Sequence, residues 1–255
     1  MCVSTDRCST ATPSSTFDPS VTESRSSPSE RLAAVQHRIE AAAREAGRSV
    51  REITLIAVSK QQSIESVSAL ADLGQRDFGE NYLQEGLAKI DALRDRGLTW
   101  HFIGQLQSNK TRPVAEYFDW VHTVDRLKIA TRLSEQRPFH APPLSICVQV
   151  KLGHEDTKGG ALPADLPDLL EAIASLPRLR LRGLMAIPPA EAELSRQRHW
   201  FDALHQLFLK AQDHHPTLDT LSMGMSADLE AAIAEGATHI RIGTALFGQR
   251  LQSSA

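Results

Sequence analysis

Cysteine is scarce in this chain. Among 255 residues there are three: Cys2, Cys8 and Cys147. So sparse and odd a set builds no disulfide framework, and no CxxC pair offers a metal site. A reducing, cytoplasmic setting is expected. Cys147 stands in an apolar run, where a small buried hydrophobe is its ordinary role. Long apolar runs are also missing. No stretch approaches the roughly 18 uncharged residues of a membrane helix, so no membrane partner is expected. The long charge-free run 138–150 contains His140 and three prolines and reads as a loop leading into a strand. Nor is there an excess of positive charge. Lys plus Arg total 28 against 31 acidic residues, a formal net charge of −3. No overall basic field marks a nucleic-acid partner. No GxGxxG follows the first apolar run, and no Walker A sequence, GxSxG elbow or HExxH pair occurs. His214-His215 and His154-Glu155-Asp156 lack metal-ligand spacing.

What is present begins with a tail. Residues 1–29 are dominated by Ser and Thr and have no apolar segment, so they are no secretory signal. Asp6, Asp18 and Glu23 outnumber Arg7 and Arg25, which argues against a transit peptide. A disordered N-terminal extension is expected, followed by one folded domain over 30–255. Hydrophobic residues make up 41% of the chain, enough for a substantial core.

From Ser29 the pattern turns helical. Ser29 is placed to cap a helix whose apolar stripe is Leu32, Val35, Ile39, Ala42 and Ala43, ended by Gly47. The run 53–58 follows, with the composition of a strand buried on both faces. Helical stretches near 63–73, 81–95, 110–116, 126–136, 164–175, 190–212 and 227–235 then alternate with apolar runs. Those runs lie near 76–79, 100–104, 119–124, 144–150, 180–186, 219–223 and 238–242. Such alternation means a parallel sheet with helical crossovers. An open doubly wound sheet and a closed (β/α)8 barrel both satisfy it. Roughly eight units in about 225 residues favour the barrel, and the missing GxGxxG weakens the dinucleotide-binding alternative.

In such barrels chemistry gathers at the C-terminal ends of the strands. Lys60 ends the first run. A lysine there is partly desolvated, desolvation lowers an amine's pKa, and a neutral amine can attack an aldehyde. On position alone, a lysine whose stem snorkels to solvent is the commoner case. The second run is followed by Glu80, Asn81 and Tyr82. The seventh is followed by Ser222-Met223-Gly224-Met225-Ser226, with Ser226 placed to cap a helix from Ala227. The eighth is followed by Gly243 and Thr244. These two turns occupy the strand 7–8 position where many barrels bind phosphate. Equally, they could simply cap a helix and end a strand. Asp228 and Glu230 would repel any anion they faced. Met223 and Met225 read as core filling, or as contacts for a flat ring. Arg241 carries a permanent charge in an apolar strand, and burial there requires a partner. Arg178, Arg180 and Arg182 alternate with leucines as solvated charges at the start of a strand.

Together these residues resemble the YggS/PROSC family of pyridoxal 5′-phosphate (PLP) homeostasis proteins. The resemblance runs in unbroken order over about residues 30–250. It is carried by Ala57-Val58-Ser59-Lys60, Phe78-Gly79-Glu80-Asn81-Tyr82, Trp100-His101-Phe102-Ile103-Gly104, Leu106-Gln107-Ser108-Asn109-Lys110 and Leu181-Arg182-Gly183-Leu184-Met185-Ala186-Ile187-Pro188. Leu221-Ser222-Met223-Gly224-Met225-Ser226 and Arg241-Ile242-Gly243-Thr244-Ala245-Leu246-Phe247-Gly248 complete it. The resemblance implies a single (β/α)8 barrel of PLP fold-type III, like the alanine racemase N-terminal domain and without the racemase C-terminal β domain. It implies that Lys60 holds PLP as a Schiff base and that Arg241 faces the pyridine nitrogen. Ser226, Gly243 and Thr244 would hold the phosphate, with Met225 and Ser222 nearby and Asn81 close to the ring; no metal is implied. Family members act in intracellular vitamin B6 and amino-acid balance without established turnover. The chain is thus expected to be a cytoplasmic monomer, a carrier or buffer with apo PLP-enzymes as recipients. Lys151, where similar proteins often carry Asn, adds a second amine near the mouth.

Binding rather than turnover is the expectation. A permanently charged arginine cannot accept a proton from the ring, so the electron sink is weak. Alanine racemase works with the same arrangement, but a tyrosine from its added domain serves the second face of the substrate. The tyrosines here are Tyr82 and Tyr117. A slow racemase-like PLP enzyme is the alternative, and a Schiff-base aldolase acting on a sugar phosphate without PLP is a third reading.

Overall fold

The computed structural model describes Met1, residues 26–153 and residues 159–248. The expected disorder of the extension falls almost wholly outside the described residues, and so does the triplet His154-Glu155-Asp156.

Helix α1 (Pro28–Glu45) opens one residue before Ser29, and its cap is Ser27. The Glu30 N–H donates to Ser27 Oγ at 3.2 Å, and the Ser27 N–H donates to the Glu30 carboxylate at 2.7 Å. This reciprocal capping box, with Pro28 presetting φ at N1, outcompetes Ser29. The buried stripe is the expected Leu32, Val35, Ile39, Ala42 and Ala43. Gly47 leaves the helix at φ +66°, a conformation glycine adopts without strain.

The alternation then appears as read: β1 (Thr54–Val58), α2 (Ile64–Asp72), β2 (Asp77–Glu80), α3 (Leu83–Ala92), β3 (Thr99–Phe102), α4 (Thr111–Tyr117), β4 (Trp120–Val124) and α5 (Leu127–Gln136). It continues through β5 (Leu144–Gln149), α6 (Leu166–Ala174), β6 (Leu179–Met185), α7 (Leu194–Gln212), β7 (Thr220–Ser222), α8 (Leu229–Ala234), β8 (His239–Ile242) and the short α9 (Thr244–Phe247). Among the described residues each strand pairs in parallel with the next, and β8 pairs with β1, which closes the barrel. The closing register sets Thr54 opposite His239 and Ala57 opposite Ile242. The segments that follow β1 and β8 therefore emerge side by side on one rim.

Strand residues such as Ile56, Phe78, Val121, Ile146 and Ile240 are fully buried, because the helices cover the outer face of the sheet. Each such side chain contributes about 1.5–3 kcal/mol on burial. Cys147 is buried among them, and burial pushes its thiol well above the ordinary range, which makes it unreactive. Among the described residues no helix is long and apolar enough to cross a membrane.

Two local readings change. Ser226 does not cap α8. The Met225 N–H donates to the Asp228 carboxylate at 2.5 Å, and the Asp228 N–H donates to the Met225 carbonyl at 3.2 Å. Residues 225–228 thus close as a turn, and α8 starts only at Leu229. Nor is Arg182 simply solvated. Its guanidinium forks onto Asp219 at 2.7 and 2.8 Å and lies 4.6 Å from the centroid of the Trp120 ring.

Candidate functional site

The C-terminal rim of the barrel encloses a cavity of about 330 Å³. Lys60 follows β1 into its wall, Asn81 follows β2, and Arg241 projects from β8. Met225 and Ser226 reach it from the turn after β7, and Gly243 and Thr244 from the turn after β8. Val58, Ile103 and Ile187 add apolar wall. Ser222 is not on this lining: it is fully buried and supports Arg241 from behind. Of the described lining residues Lys60 carries the one amine; Lys151 is not among them.

Charged groups pin Lys60 through both of its chain neighbours. On one side, Ser59 Oγ donates to Glu80 Oε1 at 2.6 Å. Lys89 Nζ donates to the Ser59 carbonyl at 2.6 Å and to Glu80 Oε1 at 2.7 Å. Lys89 is 4% exposed and Glu80 0%. Burial raises the pKa of the Glu80 carboxyl, and the bonds from Lys89 and Ser59 oppose that rise. On the other side, Gln61 takes φ +59°, a left-handed conformation uncommon outside glycine. Its N–H donates to Glu85 Oε2 at 2.7 Å, which holds the turn. The sharp turn aims the lysine stem inward instead of letting the strand run on to solvent.

Asn81 is placed by close backbone packing. A Cβ on Gly104 would lie 2.0 Å from the Asn81 carbonyl oxygen, so only glycine fits there. Arg241 is 5% exposed. Its Nη1 donates to Ser222 Oγ at 2.7 Å and its Nη2 to the Ala186 carbonyl at 3.0 Å. The partners that burial demanded are thus a hydroxyl and a carbonyl. Burial lowers its pKa to about 10, with Asp228 opposing, and the group stays charged at neutral pH.

Helix α1 straps the two rim turns in place. Arg38 Nη2 donates to the Ser226 carbonyl at 3.0 Å, and Arg31 Nε donates to the Leu246 carbonyl at 2.6 Å. Arg38 also forks onto Glu230 at 2.8 and 2.9 Å. That pairing neutralises one of the two acids that would have opposed an anion. The other, Asp228, is committed to the Met225 N–H. Thr244 opens α9, so its N–H has no acceptor within the helix.

Sequence reasoning passed over Lys89 and gave no role to Glu80, His101 or His122. A signal existed for the histidines. Each interrupts a buried strand, His101 between Trp100 and Phe102, His122 between Val121 and Thr123. The site offers one amine, one fixed guanidinium, hydroxyls and backbone N–H groups, a set suited to a small anionic carbonyl compound. Among the described residues no group of three His, Cys, Asp or Glu could hold a metal ion.

Known proteins share this sequence and fold. Residues 31–251 match the family model for the alanine racemase N-terminal domain. The pyridoxal phosphate homeostasis protein of Pseudomonas aeruginosa is 58% identical over 221 residues, 87% of this chain and 95% of the relative. That of Escherichia coli is 53% identical over 225 residues, 86% of this chain and 95% of the relative. PipY of Synechococcus elongatus, solved with PLP bound, is 38% identical with a TM-score of 0.77, covering 87% of this chain and 100% of PipY. Alanine racemase of Corynebacterium glutamicum, at 17% identity and a TM-score of 0.62 over 88% of this chain and 63% of its own, shares the fold. The chain belongs to the family of pyridoxal phosphate homeostasis proteins, built on the alanine racemase N-terminal domain.

Proposed function

We propose that this protein binds PLP covalently through Lys60 and acts in intracellular PLP homeostasis, as a monomeric carrier or buffer that supplies apo PLP-enzymes. One observation supports it above all. The Lys60 amine, the Arg241 guanidinium and the turns at 225–226 and 243–244 converge on a single cavity. The residues fit the cofactor. The Asn81 Oδ1 is buried without a hydrogen-bond partner among the described residues, a cost that a hydroxyl donor on a bound ring would relieve.

When bound, PLP supplies an aldehyde with which a lysine amine forms a reducible Schiff base. The chain's own residues do the rest. The Ser226 hydroxyl and the backbone at Gly243 and Thr244 would hold the phosphate. Arg241, a donor only, would face the ring nitrogen and leave it unprotonated. Val58, Ile103 and Ile187 would keep water from the Lys60 amine. The described lining holds the Lys60 amine but no His, Asp, Glu, Cys or Tyr beside it, whereas racemisation requires two proton-transfer groups. This favours holding the cofactor over turning over an amino acid.

Borohydride reduction of PLP-loaded protein, followed by peptide mapping, tests the reading. The label is expected on the peptide holding Lys60 and should vanish in Lys60→Ala. Label on Lys151, or protein that stays colourless with added PLP, would refute it. Multiple-turnover exchange of an amino acid's α-proton would favour the enzyme alternative.

A further inference from the structure

A file of polar side chains crosses the barrel behind the cavity. Arg241 Nη1 lies 2.7 Å from Ser222 Oγ, and Ser222 Oγ lies 2.8 Å from His122 Nδ1. His122 Nε2 lies 2.9 Å from His101 Nδ1, and His101 Nε2 lies 3.0 Å from Asp77 Oδ1. Ser222, His101 and His122 are wholly buried. Asp77 opens β2 at the opposite end of the barrel from the cavity.

With both imidazoles neutral, the two ends fix the direction of every bond. A guanidinium only donates, and a carboxylate only accepts. His101 must therefore present Nε2–H to Asp77, which leaves its Nδ1 to accept from His122 Nε2–H. His122 Nδ1 then accepts the Ser222 hydroxyl proton, and a Ser222 lone pair accepts from Arg241. Each group between the ends donates once and accepts once, with both imidazoles neutral in the Nε2–H form. Burial, with His101, His239 and Arg241 nearby, holds His122 well below the ordinary imidazole range. The described surroundings agree. Trp120 stacks on His101 at 5.5 Å, and the His239 ring lies 6.1 Å from that of His122.

We propose that His122 and His101 are positioning residues that lock the Arg241 guanidinium in one orientation at the cavity and tie its charge to Asp77 across the barrel. The inference rests on the PLP-binding reading, since it concerns the group that would face the cofactor ring. Without His122 the Ser222 hydroxyl loses its acceptor and can turn away. Among the described residues Arg241 then keeps only the Ala186 carbonyl as a fixed partner, and one bond does not set the plane of a guanidinium.

Two measurements test this. The first is ¹⁵N NMR of histidine-labelled protein without PLP at neutral pH, which reads tautomers independently of cofactor binding. His101 and His122 are both expected to be protonated at Nε2 and bare at Nδ1. The second is PLP titration, by absorbance and fluorescence, of three variants. His122→Asn sets an amide oxygen near the Nδ1 position and still accepts from Ser222. His122→Gln sets its amide near Nε2 and leaves Ser222 unserved, and His122→Leu removes both contacts. The Asn variant should keep its PLP Kd within about threefold of wild type. The other two should weaken about tenfold, with a shifted band for the bound cofactor. An Nδ1–H tautomer at His122, or equal Kd values and unshifted bands in all three variants, would overturn the proposal. Should a variant fail to fold, the tautomers decide alone. Wild-type protein that takes up no PLP would sink the binding reading while leaving the tautomers as stated, so the two failures are separable.

Discussion

Replacing Lys89 by methionine asks whether a buried ion pair holds the turn that presents Lys60. Lys89 Nζ makes two short bonds, 2.6 Å to the Ser59 carbonyl and 2.7 Å to Glu80 Oε1. Both side chains are almost fully enclosed. Methionine preserves most of the apolar stem, so the cavity it leaves is small. What it removes is the countercharge. Leaving one member of a buried pair alone costs about 3–5 kcal/mol. Burial already raises the Glu80 carboxyl, and removing Lys89 takes away a bond that opposes that rise; the loss is expected at the lower end of the range, about 3 kcal/mol. For a domain of this size each kcal/mol moves Tm by about 2–4 °C, which gives a fall of about 6–12 °C. Releasing the Ser59 carbonyl also loosens the residue before Lys60, and the PLP Kd should rise about tenfold through one lost charge-assisted bond. Glu80→Gln in the same background removes the stranded acid and should recover part of the Tm. Thermal unfolding and PLP titration measure both quantities. A Tm within about 2 °C of wild type would refute the reasoning.

Two other outcomes are expected. Gly104→Ala puts a methyl 2.0 Å from the Asn81 carbonyl oxygen, so the Asn81 segment must move. Urea unfolding should show a loss of about 3 kcal/mol, and PLP binding should weaken with it; an unchanged midpoint would contradict the packing described. Stability should also fall with acid. Burial pulls His239 down to about 3 and His122 well below its ordinary value. Between pH 6.5 and 3 the unfolded chain therefore binds protons that the folded protein does not, and stability declines as pH drops through that window. Denaturation at several pH values should show a shallower decline in His239→Leu, and an identical slope would count against it.

Much of the candidate site is legible in the sequence. Lys60, Gly243 and Thr244 stand just past apolar runs, and Arg241 lies within one; a closed parallel barrel gathers such strand ends on one rim. Helix starts were less legible. Ser27 and Ser29 are equally good caps by residue type, and the choice fell to Glu30, three residues after Ser27. At Ser226 the nearby Asp228 carboxylate took the N–H that a helix cap would have served, and α8 began later.

The order of strands and helices, the buried stripe of α1 and the placement of Lys60 and Arg241 beside one rim all follow from local periodicity and composition. Those depend on which residues are apolar and how far apart they stand along the chain. The pairing of Lys89 with Ser59 and Glu80, the strapping of the rim by Arg31 and Arg38, and the file from Arg241 to Asp77 do not. Each joins groups on different strands and helices, up to 215 residues apart in the case of Arg31 and Leu246. Closure of the barrel alone decides which polar atoms come within 3 Å, because a hydrogen bond depends on distance and direction in space and carries no period along the sequence.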